Sequence, residues 1–167
     1  MSSRIIGIGL PRTGGTTLAA ALRRFNIHGS NTCIVTDIKT TTESVQKASS
    51  PTAEFIINNE FPDQIMKNGM GWFRAKNGFT EMDKYILTTR GQQGWEDSLA
   101  KYGFSEGQDG IPDKNKYEEY VLDYGDLNAN NLLIINWNGC KDNCWESLAD
   151  FLGKPRIVDE AFPCENC

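Results

Sequence analysis

Residues 5–22, IIGIGLPRTGGTTLAAAL, constrain this chain more than any other stretch. An apolar, β-branched run closed by glycine over residues 4–9 reads as a short buried strand. Residues 16–25, TTLAAALRRF, read as a helix, with Arg23 and Arg24 in the last turn where cations suit the helix dipole. Between them lies a glycine-rich turn. Glycines let successive backbone N–H groups point inward, and the N-terminus of the following helix adds its own positive end to an anion held there. The unit is therefore expected to bind an anionic, phosphate-bearing ligand.

The rest of the chain repeats the alternation. Strands are expected over residues 54–58 (EFIIN), 85–89 (YILTT) and 132–136 (LLIIN), with a further short one over 33–36. Helices are expected over 63–67, 92–102, 114–124 and 142–152, the second placing Trp95, Leu99 and Tyr102 on one face and the last closed by Gly153 and Pro155. Residues 40–47 carry an N-cap signal, with threonines ahead of Glu43. Residues 26–31 read as a turn, 104–113 as a polar loop, and 68–83 as an aperiodic loop rich in glycine and aromatics. Strands alternating with helices imply a parallel sheet covered on both faces.

The 167 residues suit one compact domain spanning 1–167. A net charge of −5 argues against a broad nucleic-acid surface, although two arginines and a helix N-terminus can hold phosphate whatever the global charge. No apolar run approaches a membrane span and no signal-peptide core precedes the first strand, so a cytoplasmic location is the default expectation.

From Gly9 to Thr16 the chain has the frame G-x-x-x-x-G-K-[ST] of a P-loop, with Gly15 in the lysine position. The ammonium that spans the β- and γ-phosphates of a nucleoside triphosphate is missing, and Arg12 supplies a cation three places earlier. Pro11-Arg12-Thr13-Gly14-Gly15-Thr16-Thr17 after a strand resembles the 5′-phosphosulfate loop of the sulfotransferases that use 3′-phosphoadenosine 5′-phosphosulfate (PAPS), in particular their bacterial and phage-type branch. Gly15 departs from the family's usual threonine but keeps the backbone N–H.

Two further stretches extend the resemblance. In YILTTRGQQGWEDSL a strand ends at Arg90 and Ser98 follows eight residues later, the spacing with which the family holds the 3′-phosphate of PAPS. LLIINW, the W-x-x-L-x-x-F-L-G-K-P pattern from Trp145 to Pro155, and Asp159 to Asn166 are similar to the family's closing strand, last helix and tail. The basic C-terminal Arg-Lys-Gly motif of the animal cytosolic enzymes is absent. The resemblance implies a three-layer P-loop NTPase-like fold, with a central parallel sheet and helices on both faces. It also implies sulfuryl transfer from PAPS to a hydroxyl or amine of a small-molecule or carbohydrate acceptor. Arg12 and the loop N–H groups would stabilise the leaving phosphate, and Arg90 and Ser98 would hold the 3′-phosphate.

A base must also take the acceptor proton. Glu60, after the apolar run 55–57 and before Phe61-Pro62, is the leading choice, ahead of Asp63, Glu54 and the lone His28. Gly69–Phe79 is the expected wall of an acceptor pocket, with Trp72 and Phe73 as either pocket or core residues. Two readings compete with transfer. One is a binding module that keeps the nucleotide site without chemistry. The other is a nucleotide kinase, disfavoured by the missing lysine and by the lack of an acidic residue ending 132–136.

Four of the five cysteines fall in the last 28 positions, as Cys140-x-x-x-Cys144 and Cys164-x-x-Cys167. Two such pairs can supply four thiolates to a structural zinc, stay free, or form disulfides. Cys33 stands apart as a packing residue.

Overall fold

The structure, a computed structural model, describes residues 4–32, 54–137, 143–158 and 160–163. Among these residues five strands form one all-parallel sheet: β1 (Ile5–Gly7), β2 (Gly29–Thr32), β3 (Phe55–Asn58), β4 (Lys84–Thr89) and β5 (Leu132–Asn136). Their spatial order is β2-β3-β1-β4-β5. Six helices accompany them: α1 (Gly15–Arg24), α2 (Phe61–Asn68), α3 (Met70–Asn77), α4 (Gln92–Ala100), α5 (Lys114–Asp123) and α6 (Cys144–Leu152).

The strand period of two divides the core. Ile6, Ile56, Tyr85 and Leu87 point to one face and pack with Phe61, Phe73, Trp95, Leu99, Tyr117 and Val121 of α2 to α5. Ile5, Phe55, Ile57, Ile86 and Ile135 point to the other and pack with Leu18 and Leu22 of α1 and Trp145 and Leu148 of α6. Both faces of the sheet are thus covered by helices, an arrangement compatible with a three-layer fold.

The expected strands 85–89 and 132–136 and the expected helices around 16–25, 92–102, 114–124 and 142–152 are present to within a few residues. Two expectations fail. Residues 68–83 are not one loop. They contain α3, set between Gly69 at φ 91° and Gly78 at φ 71°, which bury Met70 and Phe73 one turn apart. Residues 29–31 of the expected turn, together with Thr32, form β2, although GSNT has no apolar alternation. Parallel pairing with β3 supplies its order, a tertiary override of weak local preference. The helix expected over 63–67 starts earlier, at Phe61, with Pro62 in its first turn. The strand expected at 33–36 and the N-cap signal at 40–47 lie outside the described residues. No described helix is long and apolar enough to cross a membrane.

Candidate functional site

In an open parallel sheet, ligands bind at the carboxyl ends of the strands where the strand order reverses. Here β1 is central, with β3 on one side and β4 on the other. At the carboxyl edge β1 continues into the turn from Gly9 to Gly14, β3 into Asn59 and Glu60, β4 into Arg90, and the outer strand β5 into Trp137.

Side chains from distant elements hold the β1 turn by its carbonyls. Tyr117 Oη donates to Ile8 O at 2.5 Å, and Trp95 Nε1 donates to Pro11 O at 2.7 Å. Thr13 Oγ1 donates to Leu10 O at 2.5 Å and lies 2.9 Å from Thr88 Oγ1, while Trp137 Nε1 donates to Thr13 O. Burial pushes the Tyr117 phenol well above its ordinary pKa, so it stays a neutral donor. In a planar trans peptide the N–H after a carbonyl points the opposite way. Fixing the oxygens of Ile8, Pro11 and Thr13 therefore turns the N–H groups of Gly9, Arg12 and Gly14 away from the rings that hold them.

The turn ends in an open helix start. Gly14 precedes α1 in the left-handed region at φ 96°, and a Cβ there would lie 2.0 Å from Trp137 Nε1, so only glycine fits. Among the described residues no side chain caps α1 at Gly14, so the helix start at Gly15 and Thr16 turns its positive end toward an anion.

Arg12 is itself left-handed at φ 66°, a conformation that costs a side-chain-bearing residue about 1–2 kcal/mol. Its Nε donates to Ser98 Oγ at 3.0 Å, and its guanidinium lies 4.3 Å from the centroid of the Tyr102 ring. Arg90 lies along α4, with Nη2 at 3.3 Å and Nε at 3.5 Å from the position a Gly94 Cβ would take. Gly94 and Ser98 are four apart and share a helix face. Arg12 reaches the 6%-exposed Ser98, and Arg90 lies against Gly94, one turn earlier on the same face of α4. Arg90 makes no ion pair among the described residues, and Glu96 accepts from Gln92 Nε2 instead, at 2.9 Å.

Of the expected bases, Glu60 stands at the carboxyl edge, just before α2. Its carboxyl is pushed above its ordinary pKa by burial first and by the nearby Asp63 charge second. Asp63 pairs with Lys67 at 3.0 Å. His28 and Glu54 lie at the opposite, amino edge, just before β2 and β3, joined by Glu54 N to His28 O at 2.8 Å. Their position removes both from the crevice. Phe73 is taken by the core, edge-on to Phe61 at 5.0 Å and to Phe79 at 5.6 Å. Trp72 is 42% exposed, with Lys76 Nζ 4.8 Å from its ring.

The tail folds back onto the last helix. Trp145 Nε1 donates to Glu160 O at 2.9 Å, and the Phe162 ring lies 4.7 Å from Trp145 and 5.5 Å from Trp137. Cys144 is 1% exposed and disulfide-bonded, and a disulfide sulfur is not a thiolate ligand. Cys140, Cys164 and Cys167 lie outside the described residues, as does Cys33. No group of acidic, histidine or cysteine side chains among the described residues is arranged to hold a metal.

No protein-family model and no curated protein matches the chain.

The sequence alone pointed to Arg12, Arg90 and Ser98 but not to Trp95, Trp137, Tyr117 or Gly94. Gly94 left one legible trace, a glycine inside a helical pattern four residues before Ser98.

Proposed function

We propose that this chain has a P-loop-like fold and is a sulfotransferase, moving a sulfuryl group from PAPS to a hydroxyl or amine of a small-molecule or carbohydrate acceptor. The observation that carries the reading is that Arg12, at Ser98, and Arg90, at Gly94, lie one turn apart along one face of α4, with Arg12 in the turn that leads into α1. Two separate cations and a helix N-terminus suit a ligand with two separate anionic groups better than one triphosphate chain. The donor set fits PAPS. The helix start, Thr16, Thr17 and Arg12 would take the 5′-phosphosulfate, and Arg90 and Ser98 the 3′-phosphate.

PAPS supplies an electrophilic sulfur and a phosphate leaving group. The residues do the remainder. Arg12 and the turn N–H groups stabilise charge that grows on the leaving oxygen. The held carbonyls keep those donors in place without reorganisation, and Glu60, whose raised pKa brings it nearer neutrality, takes the acceptor proton. A structural zinc on Cys140, Cys144, Cys164 and Cys167 belongs to this proposal only for the reduced chain.

Calorimetry with adenosine 3′,5′-bisphosphate is the test. Binding that falls about tenfold or more in Arg90→Ala is expected, from the loss of a charge-assisted contact. No binding by the unaltered chain, or binding indifferent to Arg90, refutes the proposal. Tight binding without sulfate transfer to any acceptor would leave a nucleotide-binding module in its place.

A further inference from the structure

Asn58 is the last residue of β3 and is 1% exposed. Its Oδ1 accepts the Glu60 N–H at 2.8 Å, which fixes which end of the amide is oxygen. The other end, Nδ2, is buried and has no hydrogen-bond partner among the described residues. A buried donor left unpaired costs about 1–3 kcal/mol, and such groups call for a specific explanation. Strand alternation puts Asn58 on the same sheet face as Ile56, the face covered by α2 to α5, which carries Ser98 on α4. It sits at the carboxyl edge, two residues before Glu60.

We propose that Asn58 is a positioning residue for the acceptor, donating from Nδ2 to the attacking atom, and that this selects hydroxyl acceptors over amines. The inference rests on the sulfotransferase reading above and narrows its acceptor class. A hydroxyl oxygen has two lone pairs. One accepts from Asn58 Nδ2–H and the other forms the bond to sulfur. The hydroxyl proton passes to the Glu60 carboxylate. The sulfur–oxygen bond to the 5′-phosphate breaks, and its electron pair goes to the phosphate oxygen, facing Arg12 and the turn N–H groups. The products are a sulfate ester, adenosine 3′,5′-bisphosphate and one proton on Glu60.

An amine cannot satisfy the same arrangement. A neutral amine has a single lone pair, so accepting from Asn58 removes the electrons needed for attack. An ammonium has none and turns its own N–H groups toward the Nδ2 donor. The side chain that positions an alcohol or phenol therefore obstructs an amine.

The test uses the full chain with adenosine 3′,5′-bisphosphate bound and three isosteric pairs: phenol and aniline, benzyl alcohol and benzylamine, cyclohexanol and cyclohexylamine. The Asn58 side-chain amide is followed by ¹⁵N NMR, assigned by its disappearance in Asn58→Asp. That variant keeps the oxygen that accepts from Glu60 N–H and loses the donor. At least one hydroxyl member is expected to shift the Asn58 amide while its amine partner does not. In PAPS turnover, Asn58→Asp is expected to lose about 10–100-fold in transfer to that hydroxyl, the range of one unpaired donor. Its bisphosphate affinity is expected to stay within about twofold of the unaltered chain, a control for folding, since an adjacent charge is the only other change. A shift of the amide by amines as large as by hydroxyls overturns the inference, as does no shift by any hydroxyl, the result if a trapped water satisfies Nδ2. Unchanged turnover in Asn58→Asp overturns it as well. Failure of the unaltered chain to bind the bisphosphate refutes instead the sulfotransferase reading beneath it.

Discussion

Gly94→Ala separates stability from binding in a single substitution. Gly94 is in the first turn of α4 with ordinary helical backbone, so alanine fits without strain. Removing the conformational freedom of glycine stabilises a helix by about 0.5–1 kcal/mol. In a chain of this size that raises Tm by roughly 1–4 °C. The added Cβ, however, would sit 3.3 Å from Arg90 Nη2, 3.5 Å from Nε and 3.8 Å from Cζ. The first of these is too close for comfort, and the flexible guanidinium end yields by a few tenths of an ångström. A fork that grips phosphate through two N–H groups is sensitive to such a shift. Partial loss of a charge-assisted contact, about 1–2 kcal/mol, weakens bisphosphate binding about 5- to 30-fold. Differential scanning calorimetry and titration calorimetry on the same preparation read both quantities. The expected pattern is a higher Tm and a weaker ligand. Unchanged affinity would show that Arg90 does not hold the ligand from this face, and a lower Tm would refute the packing argument for Gly94.

Tyr117→Phe leaves the carbonyl of Ile8 without the bond it receives at 2.5 Å; a loss of about 1–3 kcal/mol in urea unfolding is expected, and less than 0.5 kcal/mol would mean another group replaces the phenol. Ser98→Ala removes the oxygen that Arg12 Nε reaches, so bisphosphate affinity is expected to drop about tenfold with Tm shifted only slightly, and a large fall in Tm with intact affinity would make Ser98 a packing residue. Glu60 has a folded pKa above its unfolded one, so the folded chain binds more protons in that interval and stability falls as pH rises through it. Glu60→Gln should flatten that part of the stability–pH curve and abolish transfer while sparing bisphosphate binding; an unaltered curve would contradict the burial of the carboxyl. Reduction should lower the melting temperature through the disulfide at Cys144, and zinc added to the reduced chain should restore it only if the four-thiolate site forms, as elemental analysis would reveal.

The parts of this molecule that were legible in its sequence are those whose chemistry is local. A strand, a glycine turn and a helix start can be read from residues 5–22 because each depends on neighbours within a few positions. The same holds for Arg90 and Ser98, whose spacing of eight is two turns of one helix following one strand. The side chains that hold the turn were not legible, because Trp95, Tyr117 and Trp137 reach it across 84, 109 and 124 residues. In sequence they read as ordinary aromatics of amphipathic elements. Helix α3 was obscured for another reason. Gly69, Gly71 and Gly78 lower the local preference for helix, but two of them sit at its ends in positive-φ conformations where glycine is favoured.

The contact between Arg12 and Ser98 makes one donor set of what the sequence presents as two. Among the described residues Arg12 uses only Nε–H, on Ser98 Oγ, and the remaining N–H groups of its guanidinium are able to fork onto an anion. Ser98, accepting through a lone pair, keeps its own O–H proton to donate. Accepting a bond from a cation makes that O–H a stronger donor, and the burial of Ser98 lowers the dielectric around it. On the proposed reading, the arginine that would face one anionic group therefore polarises the hydroxyl that would face the other. Tyr102 holds the guanidinium over its ring, worth about 0.5–1 kcal/mol at an exposed site, against the cost of the left-handed backbone at Arg12. The residue is kept in a strained conformation because Pro11 is tied to Trp95 and Arg12 itself to Ser98, both on α4, while Thr13 is tied to Thr88 on β4 and to Trp137 after β5. A strain held from so many directions is what a preorganised anion site needs, since the donors then do not have to move when charge develops.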